Sequence, residues 1–280
     1  MAEPLKQIQD PDAAEGPAEL VRLRDKARWI ACLMAPEHAR DDLLCLHAFD
    51  LELARARDVT SQPLLAEIRL TWWQETIDQI YGGDSLRQHD VVRPLADMIK
   101  RRNLPKACFD QLIDARLEDT EEAAPSSLNN LVERATAIGA PLIMLAARIL
   151  GDQDVSLAAR HAGRAVGLTA FVRAIPYDLA RGRVRIPIDL LAQRQLNPAR
   201  VLGAQDQFGL KEAASGLLTL VQEAMAQVRR AEVPGAMRAA FYHASLAEAE
   251  AAWLARGAPN FYPEHRMIAR LTWRRLLGRI

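Results

Sequence analysis

From about residue 18 to its end, this 280-residue chain is built of segments rich in Ala, Leu and Arg at helical spacing. The alternation of β-branched residues that a strand requires is absent, and prolines and glycines fall mostly between segments. The spacing predicts helices near 20–34, 38–57, 63–82, 88–101, 105–120, 127–150, 155–174, 187–194, 210–231, 236–256 and 262–278. Pro105, Pro187 and Pro198 mark starts or stops, while Gly82, Gly83, Gly151 and Gly257 mark C-terminal breaks. Short connections between such segments imply neighbouring, mostly antiparallel helices. The expected fold class is all-α, with an acidic, Pro-rich, disordered tail over 1–18 and one helical domain over 19–280.

Charge narrows the function classes. Lys plus Arg and Asp plus Glu are 36 each, so the net charge is zero and nothing drives the whole chain toward nucleic acid. The three cysteines, Cys32, Cys45 and Cys108, lie far apart in apolar stretches and form no metal-ligand cluster; they read as buried and reduced. The N-terminus lacks both an apolar signal core and the Arg-rich character of a transit peptide, and the uncharged apolar run from Ala137 to Ala147 is too short to span a bilayer. The expected location is therefore cytoplasmic.

Four blocks carry a resemblance. LHAFDLELARARD at 46–58 is similar to an aspartate-rich helix of pattern L-Y-A-F-C-R-x-x-D-D-x-x-D. IRLTWWQETIDQIYG at 68–82 matches a following helix with a W-W-R-E run. LIDARLED at 112–119 and the stretch 167–187, ending ARGRVRIP, resemble a third helix and a second aspartate-rich region with its R-G-R exit. In this order they resemble the squalene/phytoene synthase family. The resemblance implies an isoprenoid-synthase-like bundle around a central cavity. It implies the joining of two prenyl diphosphates, with Mg²⁺ bridging phosphates to carboxylates on two facing helices, here 38–57 and 155–174.

This sequence departs from that pattern where the metal chemistry needs it. The first motif's aspartates fall on Ala54 and Arg55, leaving Asp58; Arg55 and Arg57 bring positive charge instead. Asp50 lies eight residues from Asp58, about 12 Å along a helix, too far to share an ion with Mg–O bonds of about 2.1 Å. In the second motif the aspartates fall on Ala174 and Asp178, and Pro176 between them should kink or end the helix. Asp58 and Asp178 are relic positions that serve equally as capping or surface residues. The family's tyrosine after R-G-R falls on Arg185. The candidate ligand-binding residues are Arg55, Arg57, Tyr177, Arg181 and Arg183. No metal site and no cofactor are expected; Mg²⁺ enters only if the chain is an active transferase.

RAIPY at 173–177 and FDLELA at 49–54 resemble the branch of the family that includes the mitochondrial complex I assembly factor with a squalene/phytoene synthase domain. That resemblance implies a non-catalytic binding or respiratory-chain assembly role with a protein partner. The retained arginines would hold an anionic isoprenoid or lipid directly, with a tail among Leu46, Phe49, Leu142, Met144, Leu168 and Phe171. The alternatives are a Mg-dependent head-to-head prenyl transferase of terpenoid biosynthesis and a helical interaction module without a ligand. Residues 266–280 carry Arg266, Arg270, Arg274, Arg275 and Arg279 and no acid, a pattern that fits peripheral membrane contact as well as a terminal helix packed on the core.

Overall fold

The computed structural model describes residues 16–58, 63–120, 124–202, 207–256 and 262–280. Most of the N-terminal tail singled out above thus lies outside the described residues. Within them the chain is a bundle of helices: α1 (Pro17–Arg24), α2 (Lys26–Leu33), α3 (Glu37–Asp58), α4 (Pro63–Gly82), α5 (Val92–Arg102), α6 (Lys106–Glu118), α7 (Leu128–Leu150), α8 (Ser156–Ala180), α9 (Ile188–Gln193), α10 (Pro198–Leu202), α11 (Gln207–Arg230), a 3-10 segment (Gly235–Phe241), α12 (Tyr242–Leu254) and α13 (Glu264–Leu277). The described residues contain no β-strand, so the all-α expectation holds.

Three departures from the sequence reading have local causes. The helix expected over 20–34 is two helices, because the Asp25 side chain accepts a hydrogen bond from the Arg28 N–H at 2.9 Å and caps α2 afresh. Residues 235–241 enter α12 as a 3-10 turn. Pro176 neither kinks α8 out of helix nor ends it; the helix continues to Ala180. The proline sits near the helix end, where it removes one bond and the remaining turn is held by Arg181 and Arg183 N–H groups on the Asp178 carbonyl. Ala174 and Asp178 therefore keep one helix face.

The antiparallel pair α7 and α8 forms the centre. At Gly139 and Gly163 their backbones touch: a Cβ at Gly163 would lie 2.2 Å from the Ala140 nitrogen, and one at Gly139 would lie 2.3 Å from the Gly163 carbonyl oxygen. One turn further, a Cβ on Gly167 would meet the Ala135 carbonyl at 2.4 Å. Around this axis α11 and α12 pack on α8, and α3 and α6 on α7. Fully buried Leu46, Phe49, Leu145 and Leu168 belong to one continuous apolar core. A satellite core of Ile30, Tyr242, Leu246, Met267 and Leu271 ties α2, α12 and α13 together.

Two glycine substitutions separate these roles. Gly163→Ala places a methyl inside the α7 backbone and should cost about 3 kcal/mol, a fall in melting temperature of about 6–12 °C. Gly216→Ala, inside α11 with open space around its Cβ position, should stabilise by about 0.5–1 kcal/mol. Thermal denaturation of both variants checks the pair, and equal melting temperatures would refute the close approach.

Candidate functional site

Alongside the Gly139 and Gly167 contacts a cavity of about 280 Å³ opens between α7 and α8. Leu131, Ala135, Ile138 and Leu142 of α7 form one wall, and Val166, Ala170, Phe171 and Ala174 of α8 another. Asp50 and Ala54 of α3 face it, with Arg28 of α2 and Arg116 of α6 beside them. The segment after α8 closes the mouth. Its position is fixed by Ile188 N–H on the Pro125 carbonyl at 3.1 Å and by the Asp189 carboxylate, which accepts the Leu128 N–H at the start of α7 at 2.9 Å. Thus α3 and α8, the two helices expected to face each other, do line one cavity. The motif positions Ala54 and Ala174 both lie on its wall.

The polar lining is four arginines (Arg28, Arg116, Arg134, Arg185) and three aspartates (Asp50, Asp119, Asp178). Fully buried Asp50 is gripped from both sides: Arg28 Nη2 lies 2.7 Å from Oδ2 and Arg116 Nη2 2.9 Å from Oδ1. Burial pushes the Asp50 pKa up, but the charges of Arg116 and Arg28 outweigh it and hold the carboxyl below its ordinary range. Asp178 pairs with Arg183 at 3.0 Å, and Asp119, the C-cap of α6, pairs with buried Arg185 at 2.8 Å. Nε of Arg116 and Arg185, and Nη1 of Arg28, are buried without a hydrogen-bond partner among the described residues, while Arg28 Nε lies 3.4 Å from the Asp25 carboxylate. Such donors favour an acceptor entering from the cavity.

The magnesium cluster that the family resemblance implies does not fit this donor set. The cavity positions that should carry carboxylates are Ala54 and Ala174, and each aspartate on the wall is already engaged by arginine. Among the described residues no group of three or more His, Cys, Asp or Glu is placed to hold a metal ion.

The candidate residues separate. Arg183 and Asp178 meet at the cavity's edge. Arg181 stacks on the half-exposed Tyr177 ring at 3.5 Å and does not line the cavity; Arg55 pairs with Glu52 at 2.8 Å, also away from it. The side chains of Arg57 and Asp58 lie outside the described residues. Of the apolar set, Leu142 and Phe171 line the cavity, whereas Leu46, Phe49 and Leu168 are core and Met144 packs against it. Sequence reasoning passed over Arg28, Arg116, Arg134 and Arg185. Only Arg185 had a signal, its place at the family's tyrosine position. Trp73 is buried against Phe49, its ring 5.3 Å away, and does not line the cavity. Buried His47 and partly buried His243 are held neutral; desolvation lowers their pKa values to about 3 and about 4. Buried Cys32 and Cys45 have thiols pushed up to about 12, and Cys108 is only partly buried.

Comparison with known proteins places this geometry. Residues 21–276 match the squalene/phytoene synthase family. The chain is 32% identical over 174 residues to the bovine (Bos taurus) NADH dehydrogenase (ubiquinone) complex I, assembly factor 6; the match covers 61% of this chain and 52% of the relative, so the chain spans about half that protein's length. The fold is that of the squalene synthase HpnC from Alicyclobacillus acidocaldarius (TM-score 0.69, 19% identity, 92% of this chain and 91% of that one). It is also that of a dehydrosqualene synthase (TM-score 0.73, 14% identity, 91% and 93%). The cytoplasmic location expected from the sequence is corrected by these matches, since the relatives are named for assembly of NADH dehydrogenase (ubiquinone) complex I.

The Asp50 clamp yields a signed pH dependence. Its folded pKa lies below the ~3.9 of an unfolded aspartate, so its stabilisation is present above that value and is lost as pH falls toward the folded pKa. Asp50→Ala, leaving two buried arginines facing an apolar methyl, should lose about 3–5 kcal/mol at neutral pH. The gap to the native chain should narrow below about pH 4. Chemical denaturation across pH measures both; a gap that does not change with pH would refute the ionised clamp.

Proposed function

We propose, from the premise that the chain belongs to the squalene/phytoene synthase family, that it is a non-catalytic member acting in assembly of a respiratory complex. In this reading its cavity holds one anionic isoprenoid or lipid through arginine alone. The observation that carries the reading is the lining: carboxylates engaged by arginine, alanine at two motif positions, and buried guanidinium N–H groups without partners. Catalysis by head-to-head joining would require leaving diphosphates to be neutralised by bridged metal ions, and this lining offers no open carboxylate pair for them. A phosphate or carboxylate head instead matches the planar guanidinium forks, whose hydrogen bonds to oxyanions are charge-assisted and bidentate.

Size limits the guest. About 280 Å³ corresponds to roughly nine water volumes at about 30 Å³ each, room for one head group and a short or partly protruding tail. The assembly role is supported by the relatives' printed names, and it implies a protein partner. It is a reading of the part of those proteins that this chain spans.

Two measurements test these halves. Farnesyl monophosphate and farnesyl diphosphate should bind equally well with and without EDTA. Arg134→Gln should weaken binding about tenfold or more, Ala170→Leu should fill the cavity and abolish it, and no pyrophosphate should be released. Binding that vanishes with EDTA, or pyrophosphate release with Mg²⁺, would instead establish the prenyl transferase alternative. For the assembly role, removing the chain from its own cells should reduce assembled NADH:ubiquinone oxidoreductase on native gels, and normal levels would refute it.

A further inference from the structure

Helix α13 is turned inside out relative to an ordinary amphipathic surface helix. Of the apolar residues in 266–280, only Met267, Leu271 and Ile280 are buried. Ile268, Trp273, Leu276 and Leu277 are 45%, 64%, 74% and 46% exposed. Two arginines take the inward places. Arg270 donates to the Ser245 carbonyl at 2.9 Å and to Glu248 at 2.6 Å, and Arg274 lies 3.6 Å from the same carboxylate and donates to the Ile280 carbonyl. The sequence alternative of a terminal helix packed on the core thus holds in part: Met267, Leu271 and Ile280 are buried, while the rest of the apolar set faces outward. The satellite core and the Glu248 pairs hold the helix so that Trp273, Leu276 and Leu277 stay outward.

The charge around this row is one-sided. A groove of about 630 Å³ runs along α13, lined by Tyr262, Trp273 and Leu277 together with Arg266, Arg270, Arg274 and Arg279; none of its lining residues is acidic. Arg266 and Arg275 are exposed at the two edges of the outward face, with Arg266 stacked over Trp253 at 4.8 Å. Burial, followed by the neighbouring charge of Arg270, lowers the Arg274 pKa from its ordinary value against the pull of Glu248.

We propose that the outward face of α13 docks the protein on an anionic lipid bilayer, with Trp273 and Leu276 entering the interface and the exposed Arg266, Arg275 and Arg279 taking lipid phosphates. The choice of occupant rests on charge: the exposed apolar side chains Trp273, Leu276 and Leu277 are flanked by arginines, and the groove beside them has no acidic lining residue, which suits an anionic lipid surface. Tryptophan favours the membrane–water interface, and each arginine near an anionic surface strengthens attachment. No helix among the described residues is long and apolar enough to cross a membrane, so the contact is peripheral. This surface is separate from the cavity and stands whether or not the cavity holds a ligand.

The test is vesicle co-sedimentation of the full chain with phosphatidylcholine alone and with phosphatidylcholine–phosphatidylglycerol, at low and high salt. The native chain should pellet with the anionic vesicles only, and release as salt rises. Arg266→Gln with Arg275→Gln should weaken binding about tenfold or more. Trp273→Ser with Leu276→Ser should do the same, while Trp273→Phe keeps binding; circular dichroism confirms that every variant is folded. The proposal is overturned if the native chain ignores anionic vesicles or binds both kinds alike, or if either double variant binds as the native chain does. It is also overturned if the native chain is a dimer that Trp273→Ser with Leu276→Ser dissociates, because the face would then serve a second copy.

Discussion

The backbone contact between α7 and α8 sets everything else. Gly139, Gly163 and Gly167 let two helices of more than twenty residues approach until a single methyl would collide with the opposite main chain. Such proximity gains dispersion contacts along both backbones at no side-chain entropy cost. It also fixes where the helices can separate. The opening lies alongside Gly139 and Gly167 and widens at Ala170 and Ala174, where α3 and α6 come in from the side. Cavity and axis are thus one construction: the glycines determine the width of a space that only Gly139 and Gly167 among them touch.

Electrostatics inside that space follow from the burial of Asp50. In a low-dielectric setting a carboxylate remains ionised only with partners, and Asp50 has two. The partners come from α2 and α6, so one ion triad ties three helices at the cavity wall. The break between α1 and α2 belongs to the same arrangement. Asp25 caps α2 and lies 3.4 Å from Arg28 Nε, which leaves the far end of that guanidinium to reach Asp50.

Much of the fold was legible in the sequence because amphipathic spacing and Pro/Gly punctuation are local signals. The bounds of α4 and α7 agree with that reading to within a residue. The cap at Asp25 was not legible, since a side chain decides there between continuing and restarting a helix. Pro176 misled because propensity treats proline as a breaker, while only its distance from the helix end determines the damage. At the site, the register of the motifs placed Ala54, Ala174 and Asp178 correctly on one cavity. The arginines Arg28, Arg116 and Arg134 escaped because they come from three different helices and share nothing but their meeting point. Periodicity also could not tell which face of α13 is inward. That choice lies with Glu248 and Ser245 on α12, which accept arginine where leucine would ordinarily pack.

The arginine-clamped aspartates make this cavity a chemical ratchet. Returning aspartate to position 54 or 174 would not recreate a metal centre, because the new carboxylate would enter a wall already populated by guanidinium groups and would be captured as one more ion pair. Removing Arg28 or Arg116 first would strand the buried Asp50 without one of its two partners. Neither single step back toward ion chemistry gains a metal ligand set. The path that would regain it runs only through several simultaneous changes.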